Sequence, residues 1–269
     1  MSFAEKAADR VVETLCITSP RDLVIEDVAW ERKALVLYER LDSAAARLVV
    51  RGDGAVITVS TRITNAGQRR FAVAHELGHF ELHRSLNNLN LCVEDDLETR
   101  LGRRGSPEPE LEASAFASAL LMPTLFFRPL CERARPSLAL VQDLAGSFET
   151  SLTATALRYL TFCREQCAVV WSEGGRIRWY RGTRDFGYHV RVGEELDKYS
   201  IAVDFFSCKT LPRRPTAVDA SCWLAPGRYR EDAMIQEDSL ELPGLGAVIT
   251  LLWIDKDIER EWEPGRWNR

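Results

Sequence analysis

The sequence predicts an α+β fold divided among three regions, and three observations carry that prediction. Residues 1–130 mix helical apolar periodicity with short β-branched runs, residues 131–162 hold helical patterns only, and residues 163–269 turn to strand-like runs separated by turn residues. A length of 269 residues suits two or three domains better than one minimal core.

Taken in order, residues 3–17 alternate apolar and polar at helical spacing. Ala34–Leu41, Ala46–Arg51 and Ala55–Ser60 read as strands, the last two joined by the hairpin signal Gly52-Asp53-Gly54. Asn65, with Gln68 three residues on, starts a helix that runs to about Arg84. Ser85 to Pro109 is a long polar connection, a kind more often functional than idle. A second helix, PELEASAFASALLMP, ends at Pro123, and SLALVQDLAGSFETSLTATALRYL follows as two short helices around a glycine-containing turn. Beyond a boundary near residue 162, Cys167–Trp171, Arg176–Tyr180, Ile201–Phe206 and Ala247–Trp253 read as strands.

Composition narrows the class. The chain is 46% hydrophobic and 28% charged, as in an ordinary soluble protein. No apolar run approaches the ~18 residues of a membrane span, and MSFAEKAADRVVETL lacks the basic start and apolar core of a signal peptide. A cytoplasmic location with no membrane partner is expected. Seven cysteines at irregular spacing, without CxxC, argue against both a disulfide framework and a zinc finger. A net charge of −5 excludes a chain-wide electrostatic magnet for nucleic acid, while leaving room for a local basic patch.

Of the four histidines, three lie in RRFAVAHELGHFELHR: His75, His79 and His83. His75-Glu76-Leu77-Gly78-His79 is an HExxH motif. On a helix, residues i and i+4 differ by about 40° and one turn, so both imidazoles can reach one zinc ion. Glu76 then stands beside the metal as general base. Two histidines on a helix by accident is the bland alternative. Phe71, Ala72, Val73, Ala74, Leu77 and Phe80 argue against it, because they make this a buried helix, and burying imidazoles and a carboxylate there is costly without a partner. His83 lies too far along a straight helix to share the ion, and is expected to pack or to act behind the ligands.

A catalytic zinc needs a third protein donor and an open position. The second helix offers Glu110 and Glu112. On a helical wheel Glu112 falls near Phe116 and Ala119, on the apolar side, and Glu110 falls about 160° away. Glu112 is therefore the expected ligand. Glu94, Asp95 and Asp96 are a rival source in the connection.

The pair RRFAVAHELGHFELH and ELEASAFASALLMP resembles the ImmA/IrrE family of bacterial metallopeptidases, in which an HELGH helix precedes an E-A-N-x-F-A-x-x-LLMP helix. The resemblance covers roughly residues 1–125. It implies a zincin-like metallopeptidase domain, with His75, His79 and Glu112 holding Zn2+ and Glu76 as catalytic base. Ser114 stands where the family usually has asparagine. The resemblance further implies a zinc endopeptidase that cleaves helix-turn-helix repressors of the XRE type, lifting repression of mobile-element, stress or defence genes. The layout of a peptidase domain (1–130), a helical, helix-turn-helix-like connector (131–162) and a GAF-like α/β sensor domain (163–269) is similar to the IrrE branch. A non-proteolytic regulatory protein with a structural zinc site is the alternative, and an intact Glu76 favours the enzyme.

Three further features bear on regulation. Cys92, in LNNLNLCVEDD, lies in the connection between the ligand-bearing helices, where a thiolate could occupy the open zinc position and hold the peptidase off. An ordinary loop thiol is the simpler reading. In the connector, Arg158 is the one basic residue that TSLTATALRYL offers to DNA, which makes a structural connector the better reading. In GGRIRWYRGTRDFGYHVR, Arg176, Arg178, Arg181 and Arg184 interleave with Trp179 and Tyr180, a pattern suited to single-stranded DNA as an activating signal. A strand pair with arginines outward and aromatics inward explains the same pattern, and a small GAF-type ligand is the other candidate signal.

Overall fold

The computed structural model of the chain describes residues 1–42, 44–83, 108–227 and 229–254, together with the backbone of 91–93. It divides into two compact units, one of residues 1–134 and 141–159, the other of 135–140 and 160–269. Residues 141–159, within the segment expected as a connector, are compact with the first unit.

In the first unit, α1 (Phe3–Thr14) opens with a capping box in which Ser2 and Glu5 satisfy each other's backbone N–H groups. α2 (Ile25–Glu31) leads into β1 (Ala34–Glu39), β2 (Ala44–Arg51) and β3 (Gly54–Ser60). β2 and β3 form the predicted antiparallel hairpin, with Arg51 opposite Gly54 and Gly52 at φ 63°. β1 pairs parallel with β3, and the short β4 (Leu91–Val93) pairs antiparallel with β2, giving the order β1-β3-β2-β4.

Across this sheet lies α3 (Ala66–Leu82), whose N-cap Asn65 accepts from the Gln68 backbone N–H at 3.0 Å. α4 (Glu108–Leu121) crosses α3 and also packs on α1. Ile57, Val59, Phe71, Leu77, Phe80, Phe116 and Leu120 share one core, so the HExxH helix is braced on both sides by apolar contacts. α5 (Thr124–Cys131) follows Pro123. α6 (Leu138–Phe148) and α7 (Leu152–Leu160) are joined by a turn in which Glu149, rather than a glycine, takes φ 52°. That turn touches the start of α3: a Cβ on Gly67 would lie 2.5 Å from the Ser151 nitrogen, so only glycine fits.

The second unit is built on an antiparallel sheet ordered β6-β5-β9-β8-β7. Its strands are β5 (Gln166–Glu173), β6 (Arg176–Gly182), β7 (Thr216–Asp219), β8 (Met234–Leu242) and β9 (Ala247–Ile254). Val170, Ile177, Trp223, Val248 and Leu252 lie in its core. Ile201–Phe206, expected as a strand, instead contains the short helix α8 (Ala202–Phe206). The buried Glu237 carboxylate on β8 accepts from the Ile201 and Ala202 backbone N–H groups at 3.0 and 2.7 Å, stabilising the helical start. None of the six cysteines among the described residues forms a disulfide, although the Sγ atoms of Cys163 and Cys167 lie 3.2 Å apart.

Candidate metal centre

The site is assembled where α3 meets α4. His75 and His79 stand one turn apart on α3, 2% and 6% exposed, with their Nε2 atoms 3.1 Å from each other. The Glu110 carboxylate, from the first turn of α4, spans both: Oε2 lies 3.2 Å from His75 Nε2 and Oε1 3.2 Å from His79 Nε2. Among the described residues these three form the group able to hold a metal ion. Donors about 2.0–2.1 Å from a tetrahedral zinc lie roughly 3.3–3.4 Å from one another, so the spacing observed here and the two-imidazole, one-carboxylate chemistry fit that ion. The two imidazoles hold the Glu110 carboxyl well below the usual carboxylate range, against the opposing effect of burial. The donor is therefore an anion, as a ligand must be. Glu76, adjacent to His75 in sequence, is buried.

The expected third ligand is corrected. Glu112 does not join the two ligand histidines; its Oε2 lies 2.8 Å from His83 Nε2. The reason lies in how the helices cross. Gly78 has no side chain, and α4 approaches it at Ala113 and Phe116. The line of α4 that faces α3 therefore passes through Ala113, and Glu110, three residues earlier, lies on it. A wheel anchored on Phe116 and Ala119, about 120° and 180° round the axis from Glu110, misses that the contact with α3 extends to Ala113.

Two supports surround the ligands. Ser114, one turn beyond Glu110, brings its hydroxyl to 3.3 Å from His75 Nδ1, so serine can serve His75 where the resembling family usually has asparagine. His83 is the C-cap of α3, and its Nδ1 lies 3.3 Å from His79 Nδ1. Its ring lies on the side of His79 away from His75 and Glu110. Cys92 is placed by its backbone on β4, opposite Ala46; its side chain, like Glu94, Asp95 and Asp96, lies outside the described residues.

The remaining candidates sort differently. Arg158 is 4% exposed and donates to Glu5 at 2.6 Å and to Thr124 at 3.1 Å, so it is a buried brace rather than a DNA contact. In the second unit, Arg176 donates to Glu195 at 2.6 Å and to the Gly193 carbonyl at 3.2 Å, Arg178 lies 3.9 Å from Glu173, and Arg181 donates to the Tyr180 carbonyl at 2.9 Å. Trp179 stacks on Trp171 with centroids 6.0 Å apart and planes within 6°. Tyr180 packs against the core, and Arg184 is exposed.

A buried HExxH helix laid across a sheet, with a carboxylate from a second helix completing two imidazoles, defines a protein of the HExxH metallopeptidase class. Residues 23–159 match the peptidase M78 family, described as the IrrE N-terminal-like domain, and the chain belongs to that family. Among solved structures it is similar to a Mycobacterium tuberculosis transcriptional regulator, with 19% identity and a TM-score of 0.58 over 93% of this chain and 74% of that one, a likeness of fold. No curated protein matches the chain in sequence. Among the described residues no single helix is long and apolar enough to cross a membrane.

Proposed function

We propose that this chain is a zinc-dependent endopeptidase that cleaves a helix-turn-helix repressor of the XRE type when a stress or DNA-damage signal is received. The observation that carries this reading is the convergence of His75 Nε2, His79 Nε2 and the Glu110 carboxylate at 3.1–3.2 Å, with a buried Glu76 next to His75 in the chain. Three protein donors suit a catalytic site, which keeps a position open, whereas structural zinc is closed by four. Bound there, zinc supplies Lewis acidity that polarises a peptide carbonyl and makes water a nucleophile near neutral pH. Glu76 takes the proton from the attacking water and returns it to the leaving amine. His75, His79 and Glu110 set the position about which substrate and water are oriented.

The second unit, with its own core and no donor in the His75–His79–Glu110 group, is proposed as the GAF-like sensor. Single-stranded DNA is the signal to test first, because Trp179 presents a stacked ring and Arg178 and Arg184 are exposed. The carboxylate partners of Arg176 and Arg178 oppose such binding and leave a small ligand as the competing signal.

The test of the enzyme is direct. Wild type, incubated with zinc and a purified XRE-type repressor encoded beside it, cuts the repressor, and Glu76→Gln keeps its zinc while losing about 10²–10⁴-fold in rate. Cleavage by Glu76→Gln at the wild-type rate would overturn the mechanism.

A further inference from the structure

His79 has a ring nitrogen on each side of the site. Its Nε2 faces the ligand cluster, 3.1 Å from His75 Nε2 and 3.2 Å from Glu110 Oε1. Its Nδ1 faces away, 3.3 Å from Nδ1 of His83, and Nε2 of His83 lies 2.8 Å from Glu112 Oε2. With a metal held at His79 Nε2, the chain Glu112–His83–His79 would have a definite proton order. An ionised carboxylate only accepts, so His83 Nε2 carries a hydrogen. A neutral His83 then presents its lone pair at Nδ1, which accepts from Nδ1–H of His79. Without a metal, the same rule has His79 Nε2 donating to the Glu110 carboxylate 3.2 Å away, so this order belongs to the loaded site, where a metal takes the place of that hydrogen.

We propose that His83 and Glu112 are positioning residues for His79: a two-link outer support that holds its ring orientation and anchors its Nδ1 side, in which Glu112 acts only through His83. The proposal rests on the zinc reading above. The geometry fits the fold as well. His83 is the C-cap of α3, where the helix ends and the ring can swing towards α4, and Glu112 lies on the flank of α4 rather than on the line that carries Glu110. Outer-shell partners of a ligating histidine commonly change metal affinity 10–100-fold when removed.

The test uses the full chain. Zinc affinity is measured by competition with a chromophoric chelator for wild type, His83→Ala, Glu112→Ala, Glu112→Gln and the double variant His83→Ala, Glu112→Ala. Each single alanine variant is expected to bind one zinc at saturation, 10–100-fold more weakly than wild type. The double variant should be no weaker than His83→Ala alone, and Glu112→Gln, whose amide oxygen still accepts from His83 Nε2–H, should recover part of the loss. In ¹⁵N-histidine spectra of the zinc-loaded protein, His79 Nδ1–H should be protected from solvent exchange in wild type and exposed to it in His83→Ala, a change that a purely structural role for His83 would not produce. Should His83→Ala fail to fold, Glu112→Ala, at a more exposed position, decides by the same two readouts. Wild-type affinity in the single variants, additive losses in the double variant, or unchanged exchange of His79 Nδ1–H overturns the outer support. Failure of the wild type to take up zinc overturns the metal reading itself, whereas zinc uptake with unchanged affinity in the variants overturns only the outer support.

Discussion

Gly78 and Ala113 meet where α3 crosses α4: a Cβ on Gly78 would lie 3.1 Å from both the Cα and the carbonyl oxygen of Ala113. Both are backbone atoms, so the neighbour cannot rotate away. The glycine between the two ligand histidines thus sets the separation of the helices and, through it, the reach of Glu110 into the site.

Gly78→Ala tests this. Alanine gains about 1 kcal/mol of helix propensity over glycine. Overpacking at a tight crossing costs about 1–3 kcal/mol. The net change in urea unfolding is expected to be neutral to a loss of about 2 kcal/mol. Zinc affinity is the sharper readout and should fall, because Glu110 lies one turn from Ala113. A variant with wild-type metal affinity would show that the crossing does not set the site.

Exchange of the two glutamates separates ligand from support. Glu110→Ala removes one of the three donors, and the purified protein should carry far less than one zinc per chain by metal analysis. Glu112→Ala should still load fully at saturating zinc. The reverse pattern would restore Glu112 as the ligand, against the 3.2 Å contacts of Glu110.

The contrast shows what was legible in the sequence. His75, Glu76 and His79 are legible because their relation is local: four residues on one helix fix the geometry whatever the rest of the chain does. The third donor depends on which line of α4 faces α3, a tertiary fact set by the missing side chain of Gly78. The hairpin at Gly52–Gly54 was likewise readable, because turn chemistry is local. β8 was not, because MIQEDSLEL buries Glu237, Asp238 and Ser239 within the strand and so hides its apolar pattern. The segment of α8 was misread because a short apolar run fits helix or strand equally, and the deciding contact comes from Glu237, 35 residues away from Ala202.

Glu237 should therefore be a stability determinant of the second unit. Besides the two backbone donors of Ile201 and Ala202, it accepts from Trp223 Nε1 at 2.8 Å and from the Ser239 hydroxyl at 2.8 Å. Glu237→Ala strands these buried donors, at about 1–3 kcal/mol for an unsatisfied group. Unfolding of the full chain should show earlier loss of the second unit, with the Trp223 environment as the fluorescence probe. An unchanged transition would mean that water or neighbours replace the carboxylate without cost.

The buried pair of Arg158 and Glu5 gives a prediction with a sign in pH. Burial pushes the Glu5 carboxyl up, but the Ser2 backbone N–H and the Arg158 guanidinium outweigh it and hold the carboxyl below its model-compound value of 4.5. A depressed carboxyl contributes stability above its unfolded pKa and loses it as pH falls through the folded value. Arg158→Met leaves the partly buried Glu5 without its guanidinium partner, and should cost about 3 kcal/mol at pH 7, the low end for breaking a buried pair. The gap between variant and wild type should narrow below about pH 4.5, as Glu5 becomes protonated and no longer needs the cation. Urea unfolding of both proteins at pH 7 and pH 4 measures this. A constant gap would assign the loss to packing of the arginine stem. A variant as stable as wild type at pH 7 would return Arg158 to the surface role that a DNA-reading helix requires.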